Sequence, residues 1–270
     1  MTRPRGRRSL ACAAAIALAA VGLTGCAEPQ GAVPGAPSHP SSSAALAGSI
    51  TVDAAASLSP VLPKLARAFE GAHPGTTVRL GFGGSSALAA QIVAGAPVDV
   101  FAAASTATMA TVTAAELTAD PPVTIARNRL EIAVPPSNPG GIAGLADFGD
   151  PARTVVVCDP QVPCGDAARQ VFALAKVAAK PDSYEPDVTS VLTKVETGDV
   201  DAGLVYRTDV RAAGSRVKGI PFAQAAEAVT AYPIAALSGS RNLPLARAFT
   251  DFVVQHGAAD LTAAGFLPPR

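Results

Sequence analysis

The stretch Gly81–Phe101, GFGGSSALAAQIVAGAPVDVF, limits what the chain can fold into more than any other. It reads as the end of a strand over 78–82, a Gly-Gly-Ser-Ser turn, an amphipathic helix over 87–94, a Gly-Ala-Pro turn and a second strand over 98–102. Strand, helix and strand in close succession make a crossover unit, which belongs to a sheet of parallel strands covered by helices. Glycines let backbone N–H groups crowd around a ligand, and a helix start leaves several of those groups unpaired. The two serines add hydroxyls. From these residues the stretch is either an anion cradle or a crossover turn with ordinary helix caps.

The same alternation fills the chain from Gly48 onward. Ile50–Ala55 is a strand that runs into Ala56-Ser57-Leu58-Ser59-Pro60. Val61, Leu62, Leu65, Ala68 and Phe69 then mark one face of a helix, with Pro60 suited to its first position. Helices follow over 105–115, 144–148, 165–178, 187–197, 243–255 and 260–264, with strands over 129–134, 153–157, 201–206, 219–222 and 229–237, the last broken by Pro233. This many alternating elements suit two α/β lobes better than one.

The N-terminus reads as a targeting segment. Arg3, Arg5, Arg7 and Arg8 precede an apolar run over Leu10–Leu23, too short for a comfortable membrane span. It ends in Leu23-Thr24-Gly25-Cys26, which resembles a bacterial lipobox. The expectation is a lipoprotein signal peptide over 1–25, lipidation at Cys26, and a Pro/Ser/Ala/Gly-rich flexible linker over 26–47. The product is exported and lipid-anchored to the outer face of the cell membrane. Removing the four arginines takes the formal charge from 0 to −4. No basic stripe appears, so nucleic acid is excluded as a partner. Cys158 and Cys164, in VVVCDPQVPCG, remain as a close pair, and outside the cell such a pair suggests a disulfide over two free thiols.

Four strand-to-helix junctions share one chemistry: Ala56-Ser57-Leu58-Ser59, Gly84-Ser85-Ser86, Pro163-Cys164-Gly165 and Pro186-Asp187-Val188. Ligands bind at such carboxyl ends of strands in open α/β sheets, and each helix start offers N–H donors and a positive dipole end. Catalysis fits poorly. His73 and His256 sit at helix C-termini, and neither a Gly-x-Ser-x-Gly elbow nor an H-E-x-x-H pair occurs. An exported serine hydrolase using Ser57 or Ser85 would need a general base, and no His lies nearby in sequence. Gly81-x-Gly83-x-x-Ser86 falls short of a dinucleotide fingerprint, because its third glycine is Ser and the following acid, Asp99, comes too early.

Several segments together resemble the periplasmic molybdate-binding proteins of ABC transporters, which have the type II solute-binding fold. They are Ala54-Ala55-Ala56-Ser57-Leu58, Gln91–Phe101, Asp159–Gly165, Asp187-Val188, Ala202–Tyr206 with Asp209, and Gly265-Phe266; the likeness runs from Ile50 to Leu267. The resemblance implies a two-lobed α/β protein with mixed sheets flanked by helices and two hinge crossings. The expected lobes are 48–126 plus 232–270, and 127–231, with Asn128 and Pro233 at the pivots. It further implies a monomeric binding protein, not an enzyme, with no cofactor. The ligand would be molybdate, and tungstate with it, delivered to an ABC permease; the alternative is sulfate or another small oxyanion on the same fold. The ligand positions fall on Ser57, Ser85, the backbone of Cys164, the backbone of Val188, and Tyr206. Gly84 stands where some relatives carry a hydroxyl residue. Molybdate is a fully deprotonated dianion that only accepts hydrogen bonds, so hydroxyl and N–H donors suit it. Asp159 and Asp187 are expected to face away, as a loop turn and a helix cap.

Overall fold

A computed structural model describes residues 46–270. The expected signal peptide over 1–25, Cys26 and the linker up to residue 45 lie outside the described residues. No helix among the described residues is long and apolar enough to cross a membrane.

The first half of the fold contains β1 (Gly48–Ala55), α1 (Leu62–Ala72), β2 (Thr76–Gly83), α2 (Ser85–Val93), β3 (Val100–Ala102), α3 (Thr106–Ala114) and β4 (Val123–Asn128). The chain then builds β5 (Leu130–Val134), β6 (Val155–Cys158), α4 (Pro163–Ala175), β7 (Ser183–Glu185), α5 (Val188–Glu196), β8 (Ala202–Tyr206), α6 (Arg207–Ala213) and β9 (Lys218–Ile220). It returns as β10 (Thr230–Ala236), α7 (Leu243–His256) and α8 (Ala258–Ala264).

These strands make two five-stranded sheets, ordered β2-β1-β3-β10-β4 and β7-β6-β8-β5-β9. In the first, β1 pairs in parallel with β2 and β3, while β10 runs antiparallel to β3 and β4. In the second, β6 is parallel to β7 and β8, while β5 is antiparallel to β8 and β9. The parallel pairs follow from the helical crossovers, and the antiparallel ones mark where the chain passes between sheets.

Each sheet has its own apolar core. Around the first, Phe69 meets Phe249 and Phe252 edge to face, with ring centroids 5.3 and 5.5 Å apart. The core of the second draws on residues 130–228 and takes in one residue of the first half, Ala56. Two short crossings link the sheets. Only Arg129 separates β4 from β5, and the other crossing leads from β9 through a 3-10 turn at Ala223–Ala226 into β10. They lie side by side, because Asn128 pairs with Thr230.

Some elements differ from the sequence expectation. Pro60 lies in a turn after a 3-10 segment (Ala56–Leu58), and Pro63 occupies the first turn of α1 instead. The second helix starts at Ser85 rather than Ala87. The edge strand β7 had no sequence signal: Ser183-Tyr184-Glu185 shows no apolar alternation and is held by parallel pairing to β6. Asn128, expected at a pivot, ends a strand and is buried at 1% exposure. Pro233 does break its strand, as a register shift between Tyr232 and Pro233.

Phe69→Ala removes an aromatic ring that is fully buried between α1 and α7. It is expected to cost roughly 3–5 kcal/mol. Urea unfolding checks this, through a lower midpoint at unchanged slope.

Candidate oxyanion site

The carboxyl ends of β1, β2 and β3 in one sheet and of β6, β7 and β8 in the other meet at one cavity. Its walls include Ser57, Ser85 and Ala104 from the first half, and Val162, Cys164, Asp187, Val188 and Tyr206 from the second. All five residues singled out from the sequence are therefore brought together, and all are buried. The cavity is small, about 20 Å³ counted over the positions open to the centre of a water-sized sphere. That is room for one compact solute, not a sugar or a peptide.

The helices explain why these residues converge. Ser85 is the first residue of α2, Cys164 lies in the first turn of α4, and Val188 opens α5. First-turn N–H groups have no acceptor within their own helix, and three such turns aim their positive ends at the cavity wall. Among the described residues, no Lys or Arg lines the cavity. The electrostatics are those of neutral donors.

The hydroxyls are arranged as donors. The Ala104 N–H donates to Ser85 Oγ at 3.0 Å, which leaves the serine hydrogen to point elsewhere. Ser57 Oγ and Tyr232 Oη are hydrogen-bonded at 2.8 Å. Tyr206 Oη is buried and makes no hydrogen bond among the described residues. Burial pushes the Tyr206 phenol well above its usual range, and the charge of Asp209 adds to this. The nearby hydroxyls of Thr230 and Tyr232 oppose the rise, but neither reaches hydrogen-bond geometry. Tyr206 therefore keeps its proton. A buried donor without a partner is costly, so this one points to a missing acceptor.

The acids near the site are engaged elsewhere. Asp187 Oδ1 accepts from Ser190 N–H at 2.9 Å and caps α5, although the residue also forms part of the cavity wall. Asp159 Oδ1 accepts from Gln161 N–H at 2.8 Å and turns its loop outside the cavity. His73 stacks on Phe69 at 4.6 Å and His256 on Phe252 at 4.8 Å, so neither imidazole can serve Ser57 or Ser85 as a base. Among the described residues, no group of three or more His, Cys, Asp or Glu could hold a metal cation.

Cys158 and Cys164 are joined by a disulfide, with Cα atoms 5.7 Å apart. It ties the end of β6 to the first turn of α4, and so fixes the loop that carries the Cys164 N–H.

Sequence reasoning passed over two contacts that hold the halves together at the cavity, and one bond within the first half behind it. Ser86 Oγ donates to the Gln161 carbonyl at 2.7 Å. A Cβ on Gly84 would run into the Pro186 carbonyl oxygen, so only glycine allows this approach. Behind Ser57, Tyr232 was legible only as a residue near a crossing.

A family model for bacterial extracellular solute-binding proteins matches residues 50–267. The chain belongs to this family. It is 41% identical over 224 residues to the molybdate-binding protein ModA of Mycobacterium tuberculosis, a match covering 83% of this chain and 86% of that protein. To the molybdate-binding protein ModA of Escherichia coli it is 30% identical over 232 residues, covering 79% and 86%. The fold is similar to that of the Azotobacter vinelandii periplasmic molybdate-binding protein, with TM-score 0.68 and 20% identity over 82% of this chain and all of that one (100%). It is similar too to the sulfate-binding protein SubI of M. tuberculosis, with TM-score 0.71 and 18% identity over 82% and 86%. The architecture is thus the type II solute-binding fold, and the protein is an extracytoplasmic binding protein rather than an enzyme.

Asp209 gives a pH test of the site's surroundings. Burial pushes its carboxyl up to about 7, the charge of Asp187 adds to the rise, and the Tyr206 N–H that it accepts at 2.8 Å opposes it. The folded protein holds this proton where the unfolded chain, at the ordinary value of 3.8, has released it. The contribution to stability is therefore full below that value and is lost as pH rises towards about 7, by up to about 1.4 kcal/mol per pH unit. Asp209→Asn keeps an acceptor for Tyr206 but carries no proton to lose. Melting temperatures across this range should fall for the natural protein relative to the variant; parallel curves would refute the assignment.

Proposed function

We propose that the protein captures molybdate, and tungstate with it, and delivers the anion to an ABC permease. The observation that carries this reading is the buried, unpartnered Tyr206 hydroxyl in a small cavity lined by further donors, where the acid of the wall, Asp187, is engaged as a helix cap. Such a wall suits a tetrahedral dianion that only accepts hydrogen bonds. The 41% identity to a relative named as molybdate-binding supports the choice of anion. Ser57, Ser85 and Tyr206 would donate through hydroxyls, and Cys164 and Val188 through backbone N–H groups. With no full countercharge, many such donors are needed to offset the cost of burying the ion.

The lobes on this reading are 48–126 plus 232–270, and 127–231, closing at the paired crossings near Asn128 and Pro233. Lipidation at Cys26, after loss of residues 1–25, would tether a monomeric receptor outside the membrane, with 26–47 as a flexible spacer. Sulfate is the rival ligand, since the fold also resembles a sulfate-binding protein.

Calorimetric titration with molybdate, tungstate, sulfate and phosphate tests the proposal. Molybdate and tungstate should bind most tightly; a preference for sulfate or phosphate would overturn it. Ser85→Ala and Tyr206→Phe should each weaken molybdate binding by roughly 1.5–3 kcal/mol. Tyr206→Phe should leave the melting temperature near its starting value, while Ser85→Ala should lower it, because the buried Ala104 N–H loses its acceptor. Unchanged affinity in both would remove these residues from the site.

Gly84→Ala probes closure separately. Its added methyl meets the Pro186 carbonyl across the cavity, and affinity should fall by about 1–3 kcal/mol with the fold intact. Binding as tight as in the natural protein would show that the halves do not approach in this way.

A further inference from the structure

Ser57 is the one cavity hydroxyl whose hydrogen is directed by a chain of buried groups rather than by a backbone N–H. The chain begins at Arg129, whose N–H donates to Asn128 Oδ1 at 3.0 Å. A backbone N–H can only donate, so this bond fixes which end of the Asn128 amide is oxygen. Nδ2 must then face the other way, where it donates to Thr208 Oγ1 at 2.8 Å and to Tyr232 Oη at 3.4 Å. Tyr232 Oη thus receives a hydrogen from Asn128. Ser57 Oγ, at 2.8 Å, is the remaining partner bonded to it among the described residues. The phenol hydrogen therefore goes to Ser57. Ser57 Oγ has no other hydrogen bond among the described residues, which frees its own hydrogen for the cavity that it lines.

The ring cannot swing out of this line. Tyr232 is fully buried, packed edge to face against Phe266 at 5.1 Å and Tyr206 at 6.0 Å. Burial, first, and the neighbouring Tyr206 hold its phenol well above the ordinary range, so it stays a donor.

We propose that Asn128 and Tyr232 are positioning residues that form a one-way hydrogen-bond relay, committing the Ser57 hydroxyl to donate into the cavity and so favouring oxyanions that carry no proton. The inference rests on the oxyanion reading of the site and adds a source of selectivity to it. A hydrogen phosphate dianion has the charge of molybdate or sulfate but brings a hydrogen that needs an acceptor. Facing it with another hydrogen costs a bond and adds a repulsion.

The test compares three dianions in alkaline buffer: molybdate, sulfate and hydrogen phosphate. Asn128→Asp replaces the amide donor by a carboxylate, which accepts from Tyr232. Tyr232 then accepts from Ser57, and the serine hydrogen is drawn out of the cavity. The added negative charge weakens all three dianions alike and cancels in their ratios. The molybdate-to-hydrogen-phosphate affinity ratio should fall by about tenfold, while the molybdate-to-sulfate ratio holds. Tyr232→Phe, which loses one oxygen and keeps the packing, should shift the first ratio in the same direction by less, and covers the case in which the buried carboxylate prevents folding. If both ratios in Tyr232→Phe stay at their natural values, or if all three affinities drop by one common factor, the relay is wrong and the residues merely support the fold. Failure of the natural protein to bind any of the three would instead overturn the oxyanion reading, and the relay's role with it.

Discussion

The cavity has no complete wall within either half of the fold. Its donors stand at the carboxyl ends of strands from two sheets, each with a separate apolar core. Hydrophobic burial holds each half together, and at the site it joins them through Ala56, which packs into the core of the second half. Beside it stand polar and bare-backbone contacts: the Ser86 hydroxyl on the Gln161 carbonyl, and Gly84 against the carbonyl of Pro186. Two short crossings, adjacent through the pairing of Asn128 with Thr230, join the sheets whose carboxyl ends line the one cavity.

Neutral donors impose a second requirement. Each contributes little by itself, so several must act together and each must be well directed. The structure sets those directions from behind. The Ala104 N–H orients Ser85, Asp187 caps the helix that presents Val188, and the disulfide fixes the turn that presents Cys164. Tyr206 is left without a partner, and its backbone N–H is bound by Asp209, so the residue is anchored at one end and open at the other.

Most of the architecture was legible in the chain because crossover units declare themselves locally. Gly81–Phe101 shows its strand, turn and helix within one window, and the helix starts near Ser85, Pro163 and Val188 carry turn and cap chemistry beside them. The errors are equally physical. The serines of α2 read as a turn because Gly and Ser favour turns, yet the helix takes them in. The strand β7 is too short and too polar to have a period, and it exists only because β6 offers it an edge. Gly84 read as a lost hydroxyl, whereas a carbonyl from the other half leaves no room for any side chain there. Asn128 and Tyr232 could not be read at all as neighbours of the site. Their partners Thr208 and Ser57 lie 80 and 175 residues away, and no local pattern encodes such a meeting.

The burial of the cavity residues has a kinetic consequence. Ser57, Ser85, Cys164, Val188 and Tyr206 are all shut off from solvent. An occupant held there cannot exchange its hydrogen bonds for water one at a time. On the lobe-closure reading proposed above, it leaves when the halves part, and its residence time is set by the bending of the two adjacent crossings rather than by any single bond. Tight capture and prompt unloading then cease to conflict. A membrane partner that grips both halves can empty the site by leverage, without competing for the anion.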